Sequence, residues 1–195
     1  MTRIVAGHWK GRTLRTPSGG TTRPTAEKIR AALGNALQAA GALDGATVLD
    51  LYAGSGALGL ELLSRGAASL VSVEKDRRAL EALRANVAGL TEGTSGRQAA
   101  AAPGVPVEVL GADVQAALPR LAGRSFDLVV ADPPYDLPAA ELHAVLAALG
   151  PLLAPGAEVV VERSARSGEP DWPAPLIAVR AKRYGDTLLC YGRAQ

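Results

Sequence analysis

The chain has 195 residues, of which 48% are hydrophobic and 21% charged: enough for one domain with a full core, too few for two large ones. Its net charge of +2 is unevenly placed, because residues 1–40 hold seven Lys or Arg against Glu27 alone, a net of +6 that leaves −4 on the rest. A single cysteine (Cys190) and two histidines (His8 and His143) exclude an internal disulfide and the usual zinc sites, and the sequence contains neither a signal-peptide core nor an apolar run of roughly eighteen residues. A cytoplasmic protein that needs no metal and no membrane is expected.

Taken in chain order, Arg3–Val5 and Arg12–Arg15 flank a Gly-containing turn and are expected to pair as a small hairpin, followed by a helix over Thr25–Gln38. This basic extension, residues 1–40, has clustered cations of the kind that capture a phosphate backbone, and a solvated basic face is the alternative. From residue 41 short apolar runs alternate with helical stretches. Strands are predicted at Ala46–Leu51, Ser69–Val73, Val107–Leu110, Phe126–Ala131 and Ala157–Val161. Between them helices are predicted at Ala57–Arg65, Asp76–Ala88, Val114–Leu121 and Ala139–Leu149, with Asp76 as an N-cap. Thr91–Pro106, rich in Gly, Ala, Ser and Pro, reads as a mobile loop or insertion. Leu176–Ala181 and Thr187–Tyr191, joined through Tyr184-Gly185-Asp186, leave no room for a helix and read as a hairpin.

This alternation predicts an α/β fold with a mostly parallel sheet that ends in an antiparallel pair. It suits the seven-stranded, Rossmann-like class I methyltransferase form better than the ordinary dinucleotide fold. Residues 41–195 would form that domain and residues 1–40 its basic appendage.

Asp50-Leu51-Tyr52-Ala53-Gly54-Ser55-Gly56 lies where the first strand of this domain meets its helix, and Gly59 completes a G-x-G-x-x-G pattern. Glycines let a ligand approach the backbone, and the helix N-terminus offers free N–H groups. Glu74 closes the second strand, where a carboxylate can accept both hydroxyls of a ribose, and Lys75 follows it. A nicotinamide enzyme would share these features. Three details favour S-adenosylmethionine. Asp50 would repel a pyrophosphate but suits an ammonium group. Ala112-Asp113, after the third strand, could bind adenine, with a helix N-cap the plainer reading of Asp113. The last detail is Asp132-Pro133-Pro134-Tyr135, which follows the fourth strand.

That segment suits a planar exocyclic amine: the carboxylate accepts, the two prolines fix the backbone without amide donors, and the ring stacks on a flat base. A strand-ending turn is the alternative when the segment is taken alone. Asp132, Pro133, Pro134 and Tyr135 are therefore the candidate catalytic residues. Tyr52, Ala53, Gly54, Ser55, Gly56, Asp50, Glu74, Lys75, Ala112, Asp113 and Asp132 are the candidate cofactor site. Amino methylation of DNA adenine N6 or a protein glutamine, a nicotinamide oxidoreductase and a non-catalytic RNA-binding module remain as other readings.

Arg3-Ile4-Val5-Ala6-Gly7, Gly11-Arg12-Thr13-Leu14, Arg23-Pro24-Thr25, Leu49 to Gly59, Leu63-Ser64-Arg65-Gly66-Ala67 and Asp132-Pro133-Pro134-Tyr135 together resemble the RsmD-type bacterial 16S ribosomal RNA guanine-N2 methyltransferases. The resemblance implies a class I, S-adenosylmethionine-dependent enzyme that methylates guanine 966 of small-subunit RNA; the substrate is either naked RNA or an assembly intermediate, and a monomer is expected. Within the basic extension Arg3, Lys10, Arg12, Arg15, Arg23 and Thr25 are the candidate RNA contacts, with Trp9 either a stacking or a packing residue. Two positions depart from the family's usual pattern, Ala31 and Gly34. A Gly inside that helix is expected to weaken it by ~1 kcal/mol relative to Ala.

Overall fold

The computed structural model describes residues 2–17, 24–91 and 105–195, so most of the segment read as a loop lies outside the described residues. A two-stranded hairpin, β1 (Thr2–Arg3) with β2 (Thr13–Leu14), opens the chain, and α1 follows at Pro24–Ala39. The elements of the larger unit are β3 (Thr47–Leu51), α2 (Ala57–Ser64), β4 (Ser69–Glu74), α3 (Arg77–Thr91), β5 (Val107–Gly111), α4 (Val114–Ala117), β6 (Phe126–Ala131), α5 (Ala139–Leu149), β7 (Leu153–Ser164), β8 (Leu176–Tyr184) and β9 (Thr187–Ala194). They build one seven-stranded sheet in the order β5-β4-β3-β6-β7-β9-β8. β3 to β7 run parallel, and β9 inserts antiparallel between β7 and β8.

Alternation along the central strands assigns each side chain to one of two cores. Leu49, Leu51, Val129, Val159 and Val161 face a layer that includes Val114, Leu142, Val145 and Leu146 from α4 and α5. Val48, Leu128, Val130 and Val160 face the opposite layer, made by Leu60 and Leu62 of α2 together with Ile29, Leu33 and Leu37 of α1. Ile4, Trp9 and Leu14 complete that second core, so the basic extension and the sheet share one apolar interior. Trp9 is buried there, which makes it a packing residue and removes it as a stacking platform for RNA.

Three elements differ from the sequence expectation, each for a local reason. The helix expected over Val114–Leu121 is α-helical only to Ala117 and continues as a 3-10 turn, Leu118–Leu121. Pro119 lacks the N–H that would donate back to Gln115. β7 begins four residues before the expected Ala157, because a register shift opposite Phe126/Leu128 lets Pro155 and Gly156 ride inside a strand. β8 extends to Tyr184 as an edge strand whose Arg180, Lys182 and Arg183 hide its period while guarding the open edge. No helix among the described residues is long and apolar enough to cross a membrane.

Candidate active site

Sheet register alone brings the central residues together. Leu51 pairs with Val73 on one side and with Ala131 on the other, so Tyr52, Glu74 and Asp132, each one position further on, leave adjacent strand ends as neighbours. Parallel strands make this possible, since all their carboxyl ends open at one edge of the sheet. A cavity of about 380 Å³ sits on that edge, walled by Tyr52, Glu74, Lys75, Ala112, Asp132, Pro133, Pro134 and Tyr135. Val73, Asp76 and Val114 line it as well. Sequence reasoning placed those three in a strand, a cap and a helix, and only the fold shows that they face a ligand volume.

The glycine loop is tied to this cavity from beneath. Glu74 accepts from the Gly54 amide at 2.7 Å and from the Asp76 amide at 2.6 Å, so one carboxylate fixes both the loop and the entry to α3. Asp76 in turn caps that helix by accepting from the Ala79 amide at 2.8 Å. Asp50 is 3% exposed and accepts from the Gly59 amide at 3.1 Å. A Cβ at Gly59 would stand 2.7 Å from the Asp50 carboxylate, which is why the third glycine is needed at this close approach. Tyr52 adopts φ 59, a left-handed conformation that costs about 1–2 kcal/mol for a residue with a Cβ, and it turns the chain from β3 into the loop beside the cavity.

The electrostatics are those of an acidic floor. Burial raises the Asp50 carboxyl to about 7; the Gly59 hydrogen bond works against the rise, and the charges of Asp132 and Glu74 add to it. Asp132 keeps surface open to the cavity while protein crowds it on its other sides, and this desolvation lifts its carboxyl above the usual range. Tyr135 projects above it, 61% exposed. Pro134 is committed to its own turn, accepting from the Leu137 amide at 3.0 Å. Lys75, the one cation on the wall among the described residues, is paired with Asp113 at 3.0 Å. Asp113 also accepts from the Gln115 amide at 3.0 Å, so it is the N-cap of α4, and an adenine amine would have to share it with Lys75.

The group implied by this fold must therefore be cationic or neutral and must tolerate three carboxylates around one apolar-walled cavity. S-adenosylmethionine, with its sulfonium, ammonium, ribose and adenine, fits that donor set. A dinucleotide's pyrophosphate would meet the carboxylates of Glu74 and Asp132 on this wall with, among the described residues, no unpaired cation to balance it.

The proposed RNA contacts lie elsewhere. Arg3, Lys10 and Arg15 are exposed, and Arg3 pairs with Glu27 at 3.5 Å. Arg12 donates to the Gly89 carbonyl at 2.7 Å. Arg23 lies outside the described residues, as does the side chain of Thr25 at the start of α1.

Comparison with known proteins agrees with this geometry. The family model described as "Conserved hypothetical protein 95" matches residues 2–193. The chain is also 34% identical over 183 residues to ribosomal RNA small subunit methyltransferase D of Escherichia coli K12, spanning 94% of this chain and 85% of that one. The chain belongs to this RsmD family. Its relative in Haemophilus influenzae, of the same name, is 32% identical over 161 residues, covering 82% of this chain and 77% of that one. A hypothetical protein of Thermus thermophilus superposes with a TM-score of 0.75 at 28% identity, covering 98% of each chain. Magnesium protoporphyrin IX methyltransferase from Synechocystis, solved with bound S-adenosylmethionine, shares the fold at a TM-score of 0.63 and 14% identity, over 91% of this chain and 87% of that one.

Proposed function

We propose that the chain transfers a methyl group from S-adenosylmethionine to the exocyclic N2 amine of a guanine in small-subunit ribosomal RNA, guanine 966 in the numbering its family resemblance implies. The observation that carries the reading is the register that sets Asp132 beside Tyr52 and Glu74 on one cavity, a methyl-acceptor segment against a cofactor floor. Membership of a family whose curated relatives are named ribosomal RNA small subunit methyltransferases supports the substrate class. Residues 1–40 act as the RNA arm and residues 41–195 as the catalytic domain.

Tyr52, Ala53, Gly54, Ser55 and Gly56 form the loop that holds the cofactor. Glu74 takes its ribose, Asp50 lies toward its ammonium, and Lys75, Ala112 and Asp113 border its adenine. When bound, the cofactor supplies an electrophilic methyl group whose bond pair leaves with sulfur. Asp132 and the Pro133 carbonyl accept the two N–H groups of the guanine amine, while Tyr135 stacks on the unpaired base. Holding both N–H groups out of the ring plane releases the nitrogen lone pair from the ring and aims it at the cavity. The raised proton affinity of Asp132 suits it to take the proton the amine loses.

Incubation of the protein with methyl-labelled cofactor and ribosomal RNA, DNA or bulk protein tests the reading. Label should appear in RNA alone and be recovered as N2-methylguanosine. Label in DNA or protein would redirect the assignment to the amino methyltransferases that share this acceptor segment. Calorimetry should show binding of S-adenosylhomocysteine and none of NAD.

A further inference from the structure

A second cavity, about 370 Å³, adjoins the first and belongs to neither the glycine loop nor the cofactor floor. Tyr135 borders both, so the two cavities meet at this exposed residue. It is lined by Ile29 of α1 and by the β8–β9 turn, and Glu162, Arg166 and Asp186 supply charge. The register that built the first cavity extends to the second. Ala131 of β6 pairs with Val161 of β7, so Glu162 follows the last parallel pair directly beside Asp132. Asp132, on the lining of the first cavity, and Glu162, on that of the second, thus leave neighbouring strand ends side by side, and among the described residues no hydrogen bond reaches the Glu162 carboxyl.

We propose that this second cavity receives the flipped base and that Glu162 reads its N1–H, next to Asp132 on the N2 amine, so that the pair selects a guanine edge over an adenine edge. The inference rests on the guanine-N2 reading above and adds the residue that decides which base is accepted. Guanine presents two adjacent donors, N1–H and N2–H, which two carboxylates can share. Adenine presents one amine beside N1, a lone pair that a carboxylate repels. A desolvated carboxylate left without a donor is costly, so the wrong base is refused by the group it leaves unpaired. Arg166, on the same cavity, matches the acceptors O6 and N7 of a guanine. Burial and then the Asp132 charge push the Glu162 carboxyl up to about 8, so the carboxylate that accepts N1–H is favoured as pH rises through that value, and the preference for guanine over a base with a bare N1 should widen with it. Ile29 belongs to the helix of the basic extension, so RNA bound along that extension arrives at the mouth of this cavity.

The test uses two ribosomal RNA substrates that differ only at the acceptor position, guanosine or 2-aminopurine riboside. Both keep the 2-amine, but 2-aminopurine has a lone pair at N1 where guanine has N1–H and also lacks O6; the loss of O6 is common to wild type and Glu162 variants, so the N1 contact is read from the change in their ratio. Wild type should prefer guanosine in kcat/KM by about 10- to 100-fold, the range of one hydrogen bond to a charged group. In Glu162→Gln the side-chain amide can donate to the bare N1, so the preference should collapse or invert while S-adenosylhomocysteine affinity stays within twofold. Glu162→Asp, which keeps the carboxylate, should preserve the preference at a lower rate. An unchanged ratio in Glu162→Gln, with cofactor affinity retained, overturns the role of Glu162 and leaves methyl transfer standing. No transfer to guanosine by wild type overturns the guanine-N2 reading and this inference with it.

Discussion

Arg65 donates through Nε to Glu61 Oε1 at 2.7 Å, and both side chains are sealed from solvent, 1% and 0% exposed. The pair lies within α2 and its C-cap and is the centre of a polar contact with the arm. Glu61 also accepts from the Val5 and Ala6 amides at 2.7 and 3.0 Å, and Arg65 donates to Asn35 and Gln38 of α1 at 2.9 and 3.1 Å. Ser64, between them, accepts from the Trp9 amide at 2.9 Å and donates to the Ala6 carbonyl at 2.7 Å. The sequence Glu61 to Arg65 is thus the socket into which residues 4–9 and α1 are bonded.

Glu61→Gln should destabilise the fold by about 3–5 kcal/mol, because it leaves the Arg65 guanidinium buried and uncompensated. Urea unfolding measures the loss. Hydrogen exchange should show the Val5 and Ala6 amides deprotected before the central strands. Equal stability in the variant would mean that the arm is held by its apolar contacts alone.

Gly34→Ala should not give the helix-propensity gain of about 1 kcal/mol that an interior glycine normally promises. A Cβ there would stand 2.7 Å from Arg65 Nε, an atom pinned by Glu61 in a side chain also held by Asn35. The expected result is a lower urea midpoint than wild type, and a raised midpoint would show that Arg65 has room to move.

The glycine loop should have a pH signature. The Asp50 carboxyl titrates at about 7 in the folded chain and at about 3.9 unfolded, so the folded state binds its proton more tightly. The stability this proton contributes is complete below the unfolded value and is lost as pH rises toward 7. Asp50→Asn keeps an acceptor for the Gly59 amide and removes the titration. Without cofactor, the variant should gain on wild type as pH rises from about 4 to about 7, by at most roughly 1.4 kcal/mol for each pH unit crossed. A stability difference independent of pH would remove Asp50 as the titrating group.

Much of this was legible in the chain. The central strands are largely apolar runs followed by the glycine loop, by Lys75 after Glu74 and by Asp132, and the terminal hairpin is announced by Tyr184-Gly185-Asp186, so the sheet and the acceptor segment could be read locally. Other features depend on distant partners. Gly34 looks like a weak point in a helix until Arg65, thirty-one positions on, is seen to occupy its missing side chain. Asp113 reads locally as either an N-cap or a ligand for adenine; the Gln115 amide shows the cap, and the Lys75 partner could not be read from the chain. Glu162 carried no signal, because one acidic residue in an apolar strand gains meaning only when register sets it beside Asp132.

The arm makes a quantitative prediction for RNA binding. Lys10 and Arg15 are exposed, whereas the Arg12 guanidinium is engaged by the Gly89 carbonyl. Lys10→Ala and Arg15→Ala should each weaken binding across sequences and lower the slope of log affinity against log salt by roughly 0.7–0.9. Arg12→Ala should lower it by less. Unchanged slopes in filter binding across a salt series would place the RNA contacts on another face.

The central claim is tested most directly by mapping methylated nucleotides in small-subunit ribosomal RNA from cells that lack the protein, complemented with wild type or with Asp132→Ala. A single N2-methylguanosine should vanish on deletion, return with wild type and stay absent with Asp132→Ala. An unchanged map on deletion, or full restoration by Asp132→Ala, would contradict the account.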